Sequence, residues 1–113
     1  MVFPSHGEGF GLPPREFAAT GGPAIATEWW ADDIQTWGYP VRSTLVKAWQ
    51  GHPELEGLGK WADVDVTHLA ELMTHVYSQN PKLIEYMSGR SAMHVRKVCD
   101  WSKFVERVLA IYQ

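Results

Sequence analysis

Near its start the chain reads Val2-Phe3-Pro4-Ser5-His6-Gly7-Glu8-Gly9-Phe10-Gly11-Leu12-Pro13-Pro14-Arg15-Glu16-Phe17-Ala18-Ala19-Thr20-Gly21-Gly22-Pro23-Ala24-Ile25-Ala26-Thr27. Val2 and Phe3 read as the last residues of a buried strand. Pro4 to Leu12 is turn-rich, with glycine at 7, 9 and 11. Pro13 and Pro14 suit a first helical turn, where no N–H partner is needed. Phe17, Ala18 and Ala19 continue as a short helix, and Gly21 and Gly22 stop it. Pro23 to Thr27 is a short apolar run of the kind that forms a buried parallel strand. Strand, glycine-rich loop, helix, strand is a βαβ unit, and it sets the fold class as α/β.

Working outward, Glu28 to Glu56 scatters four of the six tryptophans among Gly38, Pro40, Gly51 and Pro53, and reads as mostly loop with a short helix and a short strand. Gly57 to Trp61 reads as a further short strand. Asp65 is a good N-cap for a helix whose apolar residues Val66, Leu69, Ala70, Met73, Val76 and Tyr77 keep helical spacing. Asn80 and Pro81 restart helix with Leu83, Ile84 and Met87, and Ser88-Gly89 offers a break before Ala92, Val95 and Val98. Asp100 caps a last helix carrying the broad apolar stripe Trp101, Phe104, Val105, Val108, Leu109 and Tyr112. The 113 residues make one domain or part of one.

With 45% apolar and 20% charged residues the chain can build a packed core. A formal charge of −3, with three positive and seven negative residues in 1–56, argues against binding to nucleic acid backbones. Cys99, the single cysteine, cannot form an intrachain disulfide. No apolar run reaches the ~18 residues of a transmembrane helix, and the chain reads as soluble and cytoplasmic.

The Ser5–Glu16 loop joins the carboxyl end of a strand to the start of a helix, the place where open α/β sheets bind anions. Its glycines allow a ligand close to the backbone, and the usable donors are the amides of Gly9, Phe10, Gly11 and Leu12, then Arg15 and Glu16. Glu8 and Glu16 repel phosphate and suit hydroxyls instead, such as those of a sugar and a ribose. A bland reading, a tight turn with solvated glutamates, fits the same residues.

The run Phe3 to Thr27 resembles the signature of retaining GT-B glycosyltransferases of the group 1 (family 4) type. What carries the likeness is two glutamates with seven residues between them, Glu8 and Glu16, the intervening Gly-Phe-Gly-Leu-Pro, and Gly-Pro-Ala-Ile-Ala-Thr at 22–27. The resemblance continues more weakly through Gly57–Met73 and Trp101–Tyr112. It implies a partial Rossmann-like, three-layer α/β fold with a short parallel sheet and C-terminal helices, the C-terminal portion of a donor-binding domain spanning 1–113. It further implies transfer of a sugar from a nucleotide-diphosphate donor with retention. Glu8 would lie by the transferred sugar as the catalytic residue. Gly9, Phe10, Gly11 and Leu12 would face the sugar and diphosphate, and Glu16 the ribose hydroxyls. His6 is a secondary candidate, although a solvent-facing turn residue is its simpler reading.

No cofactor or metal is expected. Arg15, where the family usually has an apolar residue, and Trp29-Trp30, where it often has two glycines, depart from the pattern. Family members supply an Arg and a Lys to the diphosphate from upstream of the signature, and a separate N-terminal domain holds the acceptor. The chain alone is therefore expected to be inactive, and its last helix is expected to be exposed and to favour self-association.

Other readings are a glycosidase pair made of Glu8 and Glu16, which nothing in the sequence brings to the required ~5 to 9.5 Å, and a non-catalytic nucleotide-sugar or phosphate-binding module. His68, Glu71 and His75 share a helix side opposite the apolar stripe and read as a solvated face rather than metal ligands. Arg96, Lys97, Lys103 and Arg107 read as solvated helix surface.

Overall fold

Three short strands pair in parallel because each is followed by a segment that returns the chain to the same sheet edge: β1 (Val2–Phe3), β2 (Ile25–Thr27) and β3 (Tyr39–Val41), in the order β1-β2-β3. The register sets Val2 opposite Ile25 and Phe3 opposite Ala26, then Ile25, Ala26 and Thr27 opposite Tyr39, Pro40 and Val41. The computed structural model describes residues 1–30, 32–49, 51–55 and 57–112. Ala31, Gln50 and Glu56, which fall in the stretch read as mostly loop, lie outside it.

The βαβ unit forms where the sequence places it. Helix α1 (Leu12–Ala19) begins at Gly11, whose φ of 70° is left-handed, with the two prolines in its first turn. It ends at Thr20 and the left-handed Gly21. All three residues of β2 are buried, as a parallel strand covered on both faces requires. Ala24 and Ala26 lie in the core with Ala18 of α1, Ile34 and Trp37 of α2 (Ile34–Trp37), and Val95 of α4 (Pro81–Val98). Small residues on α1 and β2 let the helix come close, and the indole of Trp37, 1% exposed, fills most of the remaining volume.

Between β2 and residue 65 the chain is more structured than its composition suggests. A single 3₁₀ turn (Glu28–Trp30), α2, β3 and β4 (Ser43–Lys47) occupy it. β4 pairs antiparallel with β5 (Lys60–Val64), Ser43 opposite Val64 and Lys47 opposite Lys60. The strand expected at 57–61 therefore starts later. Gly57 and Gly59 have φ of 88° and 116°, conformations that belong to the turn before the strand.

The helices after residue 65 start at the anticipated caps. Asp65 Oδ1 accepts the His68 N–H at 2.9 Å ahead of α3 (Val66–Ser78). Asn80 accepts the Lys82 N–H, and Asp100 accepts the Ser102 N–H ahead of α5 (Trp101–Ile111). Ser88-Gly89 does not break α4, which runs unbroken for 18 residues. Gly89 is exposed on the outer side while Ser88, Ala92 and Val95 pack inward, so tertiary contacts outweigh the ~1 kcal/mol cost of a helical glycine.

Two faces differ from expectation. Of the α3 side read as solvated, Glu71 and His75 are exposed, the His75 ring meeting Tyr39 edge-on, while His68 is half-buried with Leu69, Leu72 and Val76 and its Nδ1 accepts the Arg42 N–H at 3.0 Å. The apolar residues Val66, Met73 and Tyr77 face outward instead, Tyr77 being 93% exposed. Arg96 is not simply solvated either, since its Nε donates to the Ala19 carbonyl at 2.9 Å and fastens α4 to the end of α1.

The stripe of α5 lies open as anticipated, with Trp101, Phe104, Val105, Leu109 and Tyr112 all exposed. The surface of 7981 Å² exceeds the roughly 6,300 Å² of a compact chain of this mass. The radius of gyration of 16.7 Å likewise exceeds about 13 Å. No helix among the described residues is long and apolar enough to cross a membrane.

Candidate functional site

The Pro4–Gly11 loop leaves β1 at the carboxyl edge of the parallel sheet and feeds α1, as its sequence dictates. Gly11 is the hinge of this junction. Its left-handed φ turns the chain into the helix, and a Cβ there would lie 2.2 Å from the Trp30 ring. Trp29 and Trp30 follow β2 at that same edge, and Trp30 packs directly over the hinge. Trp30 thus requires the absence of a side chain at Gly11.

The sequence marks Arg15 only as a backbone donor at the start of the helix and a departure from an apolar residue. Arg15 is 7% exposed, and its guanidinium makes two bonds to the Asp33 carboxylate, at 2.7 and 2.8 Å. Its Nε donates to the Phe10 carbonyl at 3.0 Å, and the cation sits 4.6 Å from the Phe10 ring centroid and 5.0 Å from that of Trp37. Burial opposes the charge on Arg15, but the bonds and attraction to Asp33 outweigh it and raise its pKa. The Arg15 hydrogen bonds, together with its nearby positive charge, hold the Asp33 carboxyl below its ordinary value despite burial. An apolar residue at 15 would remove both of the guanidinium's bonds to Asp33.

Arg15 thereby fixes the loop from behind and is not free to meet a diphosphate. Its backbone amide is also engaged, donating to the Gly11 carbonyl at 3.3 Å. The donor set anticipated from the sequence shrinks accordingly to the residues ahead of the prolines. Gly9 is exposed, and Phe10 and Leu12 present large exposed side chains at this edge. Gly11 itself is buried, half-buried Glu8 lies in the loop, and Glu16 is exposed on α1.

His6 is not a free turn residue. Its Nδ1–H donates to the Ala62 carbonyl at 2.6 Å, its own carbonyl accepts the Ala62 N–H at 2.8 Å, and its ring stacks on Trp61 at 4.8 Å. These contacts splice the loop to β5. On the other side, the Thr27 hydroxyl donates to the Ser5 carbonyl at 2.9 Å. Two buried polar atoms beside the loop, Ser5 Oγ and Trp30 Nε1, have no partner among the described residues.

The structure therefore gathers Phe10, Gly11, Arg15, Trp30 and Asp33 into one unit, and ties His6 to Trp61 and Ala62 in another. Asp33 and Trp61 were not singled out from the sequence. An aspartate ahead of Ile34 resembles any helix cap, and only the fold shows that it faces Arg15. No cluster of three or more His, Cys, Asp or Glu side chains suited to a metal occurs among the described residues. No protein-family model, curated protein or solved structure matches the chain.

Proposed function

We propose that this chain is the donor-binding part of a retaining glycosyltransferase of the GT-B group 1 type, built on a Rossmann-like three-layer plan. The observation that carries this reading is the glycine loop itself, which enters α1 from the carboxyl end of β1 and is held open by Arg15 on one side and His6 on the other. Backbone amides at Gly9, Phe10, Gly11 and Leu12, with the positive end of α1 behind them, suit a diphosphate. Exposed Glu16 on the first turns of α1 suits ribose hydroxyls, and Glu8, one turn of loop earlier, suits the sugar.

In this reading the protein's part in catalysis is positioning and electrostatics: the loop stabilises the departing nucleotide diphosphate while Glu8 lies beside the developing cationic sugar centre. The commitment of Arg15 to Asp33 favours a second, narrower reading for the chain taken alone, namely a module that binds nucleotide diphosphates or their sugars without turning them over. A helix N-terminus contributes about 0.3 to 1 kcal/mol per favourable exposed charge, too little to drive tight diphosphate binding unaided.

The test is a titration of ¹⁵N-labelled protein with UDP, GDP and ADP in turn. One of them is expected to shift the amides of Gly9 to Leu12 saturably, with Glu16→Ala and a 2′,3′-dideoxy nucleotide each weakening binding at least tenfold. Absence of loop shifts with all three nucleotides overturns the proposal. Hydrolysis or transfer from a nucleotide sugar by the same sample separates enzyme from module.

A further inference from the structure

The opposite edge of the parallel sheet holds a second site, independent of the glycine loop. Pro23 just ahead of β2, together with Gly38 and Tyr39 at the start of β3, forms the floor of a cavity of about 460 Å³. That volume lies within the range of small-molecule sites, roughly 300 to 1,000 Å³. Its wall is one face of α4. Met87, Arg90, Ser91 and His94 recur at helical spacing and all line it, with Ser88 beside them. Ala92 and Val95, on the inward side of the same helix, pack into the core and hold that face in place.

The chemistry of the lining is one-sided. Arg90 and His94 line the cavity, and no Asp or Glu does so. Arg90 makes no ion pair among the described residues, whereas Arg15 and Arg42 each have a carboxylate partner. His94 stands 3.8 Å from Asp33, whose carboxylate is already bound by Arg15. Around these two side chains lie hydroxyls from Thr36, Ser91 and Ser88, the last only 5% exposed. The rest of the wall is apolar, from Trp37 and Met87, and the Tyr39 hydroxyl lies 3.9 Å from Met87 Sδ. A guanidinium and hydroxyls on one side and a thioether and the Tyr39 ring on the other form an amphipathic receptacle.

We infer that this cavity binds a small amphipathic anion, its phosphate or carboxylate head held by Arg90 and the neighbouring serine hydroxyls, and its apolar body lying against Met87 and Tyr39. The observation that decides the sign of the ligand is Arg90, which makes no ion pair among the described residues and stands one helical turn from His94 on a wall without carboxylates. The observation that decides its size is the volume.

Phenyl phosphate, benzoate and phenol, added separately to the ¹⁵N-labelled chain, test this. At least one of the two anions is expected to saturate and to shift the Trp37 indole and the amides of Gly38, Ser88 and Ser91. It should bind at least ten times more tightly than phenol, and the tighter anion identifies the head group. Arg90→Ala, an exposed position whose loss leaves the core untouched, is expected to weaken that binding at least fivefold while the rest of the spectrum is unchanged. The inference is overturned by equal binding of phenol, by unchanged affinity in Arg90→Ala, by shifts confined to Gly9–Leu12, or by binding of neither anion. Failure here leaves the nucleotide titration at the opposite edge unaffected, so the two sites are judged separately.

Discussion

Arg15 and Asp33 are joined by two parallel hydrogen bonds, Nη2 to Oδ1 at 2.7 Å and Nη1 to Oδ2 at 2.8 Å, which lock the start of α1 to the start of α2. The geometry is the two-pronged one that suits a guanidinium to a carboxylate. Removing the acid alone strands a nearly buried cation. Asp33→Ala is expected to cost about 3 kcal/mol, the low end for breaking a buried pair because Asp33 keeps a third of its side chain exposed. Arg15→Leu combined with Asp33→Ala is expected to recover part of that loss, since neither charge then remains unpaired. Urea denaturation of the two single variants and the double variant measures the coupling. An Asp33→Ala midpoint equal to that of the unaltered chain would show that the clamp is not structural.

The same pair sets an acid limit. The folded Asp33 carboxyl titrates below its ordinary 3.8, held ionised chiefly by the Arg15 hydrogen bonds. As pH falls, the unfolded chain takes up the proton first. The stabilisation is therefore complete above the unfolded value and is lost as pH falls through the folded one. Asp65 and Asp100 act in the same direction, each held low first by a backbone N–H, from His68 and Ser102. The urea midpoint is expected to be level down to about pH 5 and to drop below about pH 4. Asp33→Asn is expected to flatten part of that drop, and an identical acid profile in the variant would rule out the assignment.

Gly11 carries two demands at once, a left-handed backbone and contact with Trp30. Gly11→Ala is expected to destabilise by more than the ~1 to 2 kcal/mol of the backbone conformation alone, because its Cβ would meet the indole at 2.2 Å. Gly9→Ala, two residues earlier, meets no heavy atom within 4 Å and is expected to be nearly neutral. Gly11→Ala with Trp30→Ala relieves the contact but not the backbone strain. Thermal unfolding of the three variants separates the two terms, and equal losses for Gly9→Ala and Gly11→Ala would contradict this account of the hinge.

Helix α5 rests on its own cap rather than on the core, since none of its residues is buried. Asp100→Ala is expected to fray α5, a cap loss of about 0.5 to 2 kcal/mol, without lowering the main unfolding transition. Hydrogen exchange should show faster exchange confined to residues after 100. Arg96→Ala, which frees the Ala19 carbonyl at the α1–α4 contact, is expected to lower the main transition instead. A global loss in Asp100→Ala would mean that α5 is part of the cooperative unit.

The Val2–Thr27 stretch by itself determined the βαβ unit, because proline at the helix start, glycine at its end and an alternation of apolar and glycine-rich segments are local signals. Asp65, Asn80 and Asp100 likewise fixed three helix starts, since a side-chain cap acts within three residues. Only the tertiary structure decided what Arg15 does. An arginine in a loop-to-helix junction reads as solvated or ligand-facing, and its partner Asp33 lies 18 residues away in a stretch with no regular period. Tertiary packing also drew His68 of α3 against the Arg42 backbone, a partner that hydrophobic spacing cannot register. It likewise kept α4 whole through Gly89, where neighbouring Ser88 and Ala92 are held by the core. The cavity-lining face of α4 stands in the sequence as Met87, Arg90, Ser91 and His94, but a period of 3.6 marks a face without saying what lies opposite. That was settled by the amino edge of the sheet, which places Gly38 and Trp37 across from it and leaves a cavity between them.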